Sequence, residues 1–320
     1  MLTLATVNCK TRKLLQPTPA PPVVYKAPAN FRVVGYLLSG EIANGSAGGF
    51  DLSRLNYLNV FFNGQNAQHK LRHVPHLDSI ITAAHNLHVT VLASIGNGTH
   101  LPLLADSSRA GFIDSLVSSL AELHLDGIDV DLEDSSIDKN YEAFIGDLSA
   151  ALKPKGKLLT AAVATWESVK FTDKALSYFD FLNIMTYDAT GPWRLNEPGP
   201  HSPYSMALSD LDFWTNKRGI PKEKLNLGLP FYGYGFGPGI KHEFHYREIV
   251  KMYPGSENTD QVTVTAGNVI YYNGIPTIKM KTSFAMQNAG GVMVWELLED
   301  AAEDKSLLSA IDQIANPGNK

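Results

Sequence analysis

One segment of the chain carries acidic residues at a spacing suited to proton-transfer chemistry. Asp129, Asp131 and Glu133 alternate with apolar residues within residues 126–133. Because successive side chains of a β-strand point to opposite faces, the three acids would share one face of a strand. Neighbouring carboxyl groups in a partly dry interior cannot all ionise, so at least one stays neutral near physiological pH. A neutral carboxyl group is what a general acid requires.

The position of each acid along the strand indicates its role. Glu133 comes last, at the carboxyl end where barrel enzymes keep their chemistry, so it is the predicted proton donor, and Asp131 and Asp129 lie progressively deeper. The alternative is a solvated acidic loop or a calcium site. The calcium-loop template needs a glycine after the third acidic position and a glutamate six residues beyond it, and the sequence has neither. These residues alone predict an acid-catalysed barrel enzyme.

The rest of the chain has the pattern of an α/β protein. From residue 31 onward, short β-branched runs alternate with helical patterns, which favours parallel βαβ units. The strand-like runs are residues 32–37, 57–62, 88–94, 127–132, 158–163, 181–185, 225–229 and 291–295. Together with a helical segment at residues 307–314, they predict a (β/α)8 TIM barrel.

The interval between residues 229 and 291 breaks this alternation. It contains strand-like pieces and Asn273-Gly274, a strong two-residue hairpin signal. We predict a small insertion around residues 240–285 within a catalytic domain of residues 31–320. Insertions at the carboxyl ends of barrel strands lie beside the active site, so this one should form a wall of the cleft.

The composition excludes several classes of protein. The chain has 320 residues, of which 44% are hydrophobic and 18% are charged, as in a soluble globular enzyme. Its formal charge of −5 and the lack of a long Lys/Arg run argue against a nucleic-acid partner or an anionic membrane surface. Cys9 is the only cysteine, which excludes an internal disulfide and a Cys-rich zinc site. We expect a monomer whose body is not embedded in a membrane and which uses no metal or organic cofactor.

Residues 1–30 are predicted to lie outside the folded domain. A mildly apolar stretch precedes Cys9, and the proline-rich run at residues 16–22 is typical of an extended tether. This order is similar to the end of a bacterial lipoprotein signal with Cys9 as the lipidated residue, which predicts a secreted or cell-envelope protein. The alternative for this segment is a disordered chain end.

The acidic segment resembles the signature of glycoside hydrolase family 18, the chitinase family, on the fourth barrel strand. Its Asp-x-x-Asp-x-Asp-x-Glu pattern is matched completely, at Asp126, Asp129, Asp131 and Glu133, with Gly127 following the first aspartate. Other strand ends are similar to family motifs, at residues 185–188 (Met-Thr-Tyr-Asp), 191–193 (Gly-Pro-Trp), 230–233 (Pro-Phe-Tyr-Gly) and 291–295 (Gly-Val-Met-Val-Trp). The resemblance runs from about residue 31 to the end with the motifs in the family's order.

This resemblance implies hydrolysis of β-1,4-linked N-acetylglucosamine polymers by a retaining, substrate-assisted mechanism. Glu133 would protonate the glycosidic oxygen while the sugar's own 2-acetamido oxygen attacks the anomeric carbon. Asp131 would orient the acetamido group and stabilise the oxazolinium intermediate, and Asp129 would share a proton with Asp131. Tyr187 would hydrogen-bond the acetamido carbonyl, and Trp295 would form the floor under the sugar.

Further cleft residues implied by the resemblance are mostly aromatic: Tyr36, Phe62, Met185, Asp188, Trp193 and Tyr232. The third strand reads Ser94-Ile95-Gly96-Asn97 where the family usually has Ser-x-Gly-Gly. Asp134 stands where many chitinases have an aromatic residue, and its charge could raise the pKa of Glu133. The insertion is shorter than in deep-cleft members, which implies a shallower groove.

Three other patterns are interpreted as structural. A cluster of histidines has no acidic or cysteine residue to complete a metal site and is expected to flank a surface helix, at His69, His73, His76, His85 and His88. His242 and His245 are spaced one residue too closely for a zinc-protease helix and are predicted to lie in a loop. The alternating glycines of residues 233–239 predict a turn after the seventh strand rather than a phosphate-binding loop.

Two alternative functions would use the same fold. One is a carbohydrate-binding protein without catalysis, because a fold alone does not fix activity. Glu133 argues against it. The other is an endo-β-N-acetylglucosaminidase acting on protein-linked glycans, although residues 185–188 and the insertion resemble chitinases more closely. In each case the expected partner is a saccharide that contains N-acetylglucosamine.

Overall fold

The computed structural model describes residues 30–45, 48–62, 70–96 and 104–317. Cys9 and the proline-rich tether lie outside the described residues, as do His69 and Asn97. Among the helices of the described ranges, none is long and apolar enough to cross a membrane.

Eight parallel strands of the described chain close into a barrel. They are β1 (Arg32–Leu38), β2 (Tyr57–Phe62), β3 (Thr90–Gly96), β4 (Gly127–Asp131), β5 (Leu158–Val163), β6 (Phe181–Ile184), β7 (Leu225–Pro230) and β12 (Gly291–Trp295). Their order around the barrel is β1-β12-β7-β6-β5-β4-β3-β2, and each strand is parallel to both neighbours. The predicted (β/α)8 barrel is therefore confirmed.

Alternation along the strands produces two separate apolar cores. Ile128 and Val130 of β4 point outward and join the main core between the barrel and its helices. The residues between them, Asp129 and Asp131, are also buried. A smaller core, called the inner core below, includes Tyr36 and lies on the other face of the barrel strands. The acids therefore share the barrel interior with this second core.

Nine α-helices of the described chain complete the fold. They are α1 (Ser39–Ala43), α2 (Leu77–Asn86), α3 (Asp106–Glu122), α4 (Tyr141–Leu152), α5 (Asp173–Ser177), α6 (Tyr204–Asp212), α7 (Tyr246–Met252), α8 (Ile275–Asn288) and α9 (Leu307–Ala315). The helix predicted near the end of the chain corresponds to α9. Ser306 caps it by accepting a hydrogen bond from the Ser309 N–H, 2.9 Å away.

A small antiparallel sheet is inserted between β7 and β12, at the predicted place, but it spans residues 232–271 rather than residues 240–285. It consists of β8 (Tyr232–Phe236), β9 (Glu243–His245), β10 (Gln261–Thr265) and β11 (Asn268–Tyr271), in the order β10-β11-β8-β9. Two tyrosines of β8, Tyr232 and Tyr234, pack into the inner core beside Tyr36 and Met185. The insertion therefore borders the barrel interior that holds the acids.

The hairpin predicted at Asn273-Gly274 was wrong. The turn between β10 and β11 lies at residues 266–267, where Gly267 adopts a left-handed φ of 87°. Asn273 and Gly274 instead connect β11 to α8. The Asn273 Nδ2 group donates to the Ser202 carbonyl at 3.0 Å, and the Gly274 N–H donates to Asp260 Oδ1 at 2.9 Å. A tertiary hydrogen bond explains the asparagine, and close packing explains the glycine, since a Cβ atom at Gly274 would stand 2.3 Å from the Thr259 carbonyl oxygen.

Two other interpretations of the insertion also need correction. The segment of His242 and His245, predicted as a loop, contains β9. The first alternating glycines lie within β8 rather than in a turn. A Cβ atom at Gly233 would stand 2.5 Å from the Tyr271 carbonyl oxygen, so a side chain there would clash with the backbone at the end of β11. Gly237 and Gly239, with φ values of 125° and 71°, follow the strand, so the predicted turn is found at these two glycines.

Candidate active site

The acidic motif spans the barrel from one end to the other. Asp126 precedes β4, where its Oδ2 atom accepts a hydrogen bond from the Val91 N–H at 2.8 Å and lies 2.9 Å from His85 Nε2. Asp126 therefore braces the amino ends of the strands, away from the interior acids. Gly127 permits close strand packing, since a Cβ atom there would meet the Leu158 carbonyl oxygen at 2.3 Å.

Asp129 is the deepest acid and is held by donors from four strands. These are Tyr36 Oη (2.7 Å), Ser94 Oγ (2.8 Å), Thr160 Oγ1 (2.5 Å) and Asn183 Nδ2 (3.4 Å). The carboxyl group is fully buried. Burial raises the pKa of Asp129 above its ordinary value, although the four hydrogen bonds act in the opposite direction. Asp129 is thus fixed in place and able to hold or share a proton.

Asp131 is buried and has a carboxyl oxygen without a hydrogen-bond partner in the described chain. It pairs across the sheet with Gly96 at the end of β3. Among the described residues, no group hydrogen-bonds its Oδ1 atom. Burial, followed by the charges of Glu133 and Asp129, raises the pKa of Asp131 well above its ordinary value. An unpaired buried carboxyl oxygen is costly to folding, which favours a functional role for it.

Glu133 lies two residues beyond the end of β4 and lines a cavity. This cavity has a volume of about 580 Å³ and is lined by Glu133, Asp134, Trp166, Asp188, Ala189, Trp193 and Arg194. Burial and then the charge of Glu167 raise the pKa of Glu133 to about 7, with further contributions from Asp134 and Asp188. The carboxyl group is therefore largely protonated below neutral pH and able to donate its proton.

Aromatic rings surround the interior acids. Trp295, at the end of β12, packs on the inner core with ring centroids 5.4 Å from Tyr36 and 5.7 Å from Phe61. Tyr187 is buried, and its hydroxyl lies 3.9 Å from Met293 Sδ. Met185 belongs to the same inner core. The structure thus brings the predicted Trp295, Tyr187, Tyr36 and Met185 together.

Phe62 does not lie with the other predicted cleft residues. It belongs to the main core outside the barrel, whereas its neighbour Phe61 contacts Trp295. The inward-facing residue of β2 is therefore Phe61 rather than the predicted Phe62. Neighbouring residues of a strand point to opposite faces, so an error of one residue exchanges the two faces. Two adjacent phenylalanines in the sequence do not reveal which one points inward.

Asp188 is hydrogen-bonded by the insertion and lies near a histidine of the segment before α6. Its Oδ1 atom accepts hydrogen bonds from Tyr232 Oη at 2.6 Å and Tyr234 Oη at 3.1 Å, and His201 Nδ1 lies 3.5 Å away. Asp188 itself adopts a left-handed φ of 65°. Trp193 is 57% exposed, and its ring packs edge-on against Tyr234 at 5.5 Å. The predicted Asp188, Trp193 and Tyr232 therefore share one wall.

Several residues of this site were missed from the sequence. Thr160 and Asn183, which bind Asp129, are lone polar residues in otherwise apolar strands, and that signal could have identified them. Trp166 and Glu167 lie in the loop after β5, within a 3-10 helix (Thr165–Lys170), at the end of the barrel where chemistry is expected. His201 and Tyr234 have no comparable signal, because their approach to Asp188 depends on how the insertion packs.

Comparison with known proteins identifies the family of the chain. The family model of glycosyl hydrolases family 18 matches residues 32–300, which is most of the chain. The chain therefore belongs to glycosyl hydrolase family 18, and it is a chitinase-like glycoside hydrolase.

Individual relatives are chitinases and chitinase-like proteins. Human chitinase-3-like protein 2 is 26% identical over 283 residues, covering 69% of this chain and 72% of that protein. Probable chitinase 2 of Drosophila melanogaster is 28% identical over 64% of this chain, which spans 54% of that protein's length. Among solved structures, the chitinase ChiB from the chitin utilization locus of Flavobacterium johnsoniae has a TM-score of 0.82 at 32% identity. That alignment covers 91% of this chain and 94% of the other.

Proposed function

We propose that this protein hydrolyses β-1,4-linked N-acetylglucosamine polymers such as chitin by a retaining, substrate-assisted mechanism. The observation that carries the proposal is the arrangement on β4. Glu133 stands at the cavity with a pKa of about 7, directly above the buried Asp131 and Asp129. The similarity to the Flavobacterium johnsoniae chitinase supports the same substrate.

In the first step, Glu133 donates its proton to the glycosidic oxygen as the bond to the anomeric carbon breaks. The 2-acetamido oxygen of the same sugar attacks that carbon, which gives a cyclic oxazolinium and the shortened sugar as leaving group. Asp131 faces the positive charge that develops on the acetamido group, and Tyr187 hydrogen-bonds its carbonyl. In the second step, the Glu133 carboxylate removes a proton from water as the water opens the ring, which returns Glu133 to its protonated form.

Asp129 supports Asp131 during this cycle. Asp131 has to become more negative as the oxazolinium forms, and its raised pKa in the free site indicates that it starts with a share of a proton. Asp129 also has a raised pKa and can take up that proton. Four hydrogen bonds hold Asp129 in place during the transfer.

Two further parts of the proposal concern the location and the oligomeric state of the protein. The apolar stretch that ends at Cys9 and the proline-rich tether after it support a secreted or envelope location, with Cys9 as the site of a lipid anchor. We also propose that the chain acts as a monomer, because every catalytic residue named for the mechanism lies within one barrel.

The experiment that tests this function compares two oligosaccharides of equal length. Chitotetraose carries the 2-acetamido group, whereas cellotetraose has a hydroxyl group in its place. We expect hydrolysis of chitotetraose and no detectable hydrolysis of cellotetraose, because the proposed nucleophile belongs to the substrate. Equal rates on both would contradict the mechanism. Binding of chitotetraose without cleavage would support the carbohydrate-binding alternative, and release of a protein-linked glycan alone would support the endoglycosidase.

The pH profile should report the proton on Glu133. A proton donor works only in its protonated form, so kcat/KM is expected to fall as the pH rises above about 7, the pKa to which burial raises Glu133. The decrease in kcat/KM at alkaline pH can be measured directly with a chromogenic chitooligosaccharide in a series of buffers of constant ionic strength. Circular dichroism at each pH controls for unfolding. A rate that stays constant well into the alkaline range, with the protein folded, would contradict the role of Glu133.

Trp166 is expected to bind a sugar next to the cleavage point. It is 51% exposed and lines the same cavity as Glu133 and Trp193. An indole face covers the apolar face of a pyranose, so Trp166→Ala should raise KM for a tetrasaccharide by about 3- to 10-fold. Val169 provides a matched control, since it is 92% exposed on the same loop and does not line the cavity. An unchanged KM in Trp166→Ala, or an equal increase in Val169→Ala, would contradict this role.

A further inference from the structure

Both backbone polar groups of the residue after the proton donor are hydrogen-bonded by side chains. Asp134 follows Glu133 and adopts a left-handed φ of 52°. Its N–H donates to Glu167 Oε1 at 2.8 Å, and its carbonyl oxygen accepts from Lys170 Nζ at 2.8 Å. Lys170 Nζ also donates to Glu167 Oε1 at 2.7 Å. The three contacts form a closed clamp between the end of β4 and the loop after β5.

The charge on Glu167 is not required for this clamp. The side chain is 3% exposed, and no described residue hydrogen-bonds its Oε2 atom. A buried carboxylate with one unpaired oxygen is costly, even beside a lysine. A glutamine amide oxygen could accept the same two hydrogen bonds at a lower desolvation cost. The negative charge at this position therefore calls for a second role besides holding the backbone.

We propose that Glu167 and Lys170 are positioning residues for the proton donor: they fix the backbone directly after Glu133 and set the electrostatic field in which Glu133 holds its proton. This inference rests on the proposed function, since it gives Glu133 the role of acid. Glu167 and Lys170 act through Glu133 and Asp134 and touch no substrate in this scheme.

The charges that act on Glu133 come from several elements. Glu167 and Lys170 lie on the loop after β5, while Asp131 and Asp134 flank Glu133 along the chain and Asp188 follows β6. The charge of Glu133 acts in turn on Tyr187, and Arg194 lines the same cavity as Glu133. Among these charged groups, Glu167 raises the pKa of Glu133 most strongly, and Lys170 opposes it. Removing the Glu167 charge should therefore lower the pKa of Glu133, and removing the Lys170 charge should raise it.

This difference in sign separates the electrostatic role from a structural one. Glu167→Gln keeps the acceptor for the Asp134 N–H and loses the negative charge, so the pKa of Glu133 should fall by about 0.5 to 1 unit. Adding Lys170→Gln then removes the opposing positive charge, and the pKa should move back toward its value in the unaltered protein. If the clamp were purely structural, the pKa of Glu133 in the double variant should differ from that of the unaltered protein more than it does in Glu167→Gln. A second disruption of the structure would then add to the first.

The test measures the Glu133 carboxyl group directly and the rate in parallel. The protein is labelled with 13C at glutamate carboxyl carbons, and the Glu133 signal is identified by its absence in Glu133→Gln. Its titration is followed in the unaltered protein, Glu167→Gln and Glu167→Gln/Lys170→Gln, together with the alkaline limb of kcat/KM. Glu122 and Lys70, an exposed ion pair that joins α3 to the segment before α2, give the matched control Glu122→Gln/Lys70→Gln, which should move neither value.

The expected result is a lower Glu133 pKa in Glu167→Gln and a partial return in the double variant, with the alkaline limb shifting in the same sense. An unchanged or higher pKa in Glu167→Gln, or a further fall in the double variant, would overturn the proposal. Should Glu167→Gln fail to fold, Lys170→Gln alone carries the test, and only a raised pKa supports the proposal. If the unaltered protein does not cleave chitooligosaccharides, the proposed function is contradicted. The titration of the Glu133 carboxyl group can still be measured, so the two failures are distinguishable.

Discussion

Glu133→Gln is expected to lower kcat on chitotetraose by about 10³-fold or more, at nearly unchanged affinity. Glutamine has the same shape as glutamate and carries no transferable proton, so the leaving oxygen would depart as an unstable alkoxide. The cavity, with Trp166 and Trp193 in its lining, would remain intact. Product formation by chromatography and binding by calorimetry, on the same preparation, separate the chemical step from recognition.

The acidic motif supplies its own control for this experiment. Asp126→Asn alters the first aspartate of the same pattern, which braces β3 and β4 and lies away from the cavity. This variant is expected to lose some thermal stability and to keep its kcat. A Glu133→Gln variant that cleaves at the normal rate would remove Glu133 from the mechanism. An equal loss of kcat in both variants would point to general damage to the strand.

Asp131→Asn is expected to lower kcat by about 10²-fold or more, because the amide cannot supply negative charge to the developing oxazolinium. Stability should change in the opposite direction. The pKa of Asp131 is raised on folding, so its ionisation opposes the folded state as the pH rises through that pKa. The asparagine does not ionise, and thermal unfolding at neutral pH should therefore occur at an equal or higher temperature.

Asp129→Asn provides the contrast for the stability measurement. Asp129 accepts hydrogen bonds from Tyr36, Ser94 and Thr160, and an amide would turn one of these acceptor positions into a donor. This variant should therefore unfold at a lower temperature. Melting curves of both variants at neutral pH, with kcat measured alongside, make the comparison. A destabilised Asp131→Asn, or one with normal kcat, would contradict the role given to Asp131.

Local sequence patterns predicted the barrel because the apolar residues of each strand indicate which of its faces is buried. The alternation in β4 predicted that Ile128 and Val130 point outward, and the structure has them in the main core between the barrel and its helices. The same reasoning failed where packing decides the outcome. Asn273-Gly274 has the composition of a hairpin turn, yet its hydrogen bonds reach Ser202 and Asp260 in other parts of the fold.

The candidate site was predictable along one strand and much less so across strands. A strand fixes which side chains share a face, but barrel closure decides which residues of other strands meet them. Tyr36 came from the family resemblance, while Thr160 and Asn183 complete the cage around Asp129 without belonging to any predicted motif. Glu167 contacts the backbone of Asp134 from 33 residues away, and no local pattern records such a contact.

The effect of Asp134 on the acid illustrates the same limit. The sequence suggested that its charge could raise the pKa of Glu133, and it does contribute in that direction. Burial and Glu167 contribute more, and neither is visible from the residues beside Glu133 in the sequence. The proton donor is therefore tuned mainly by tertiary structure.

The most direct test of the proposed mechanism is the configuration of the first product. Proton NMR during the first minutes of chitotetraose hydrolysis distinguishes the two anomers of the new reducing end before they equilibrate. A retaining reaction through the acetamido group releases the β-anomer first, and that is the result we predict. Initial release of the α-anomer would contradict the mechanism, because it requires a single displacement by water in place of attack by the substrate's own acetamido oxygen.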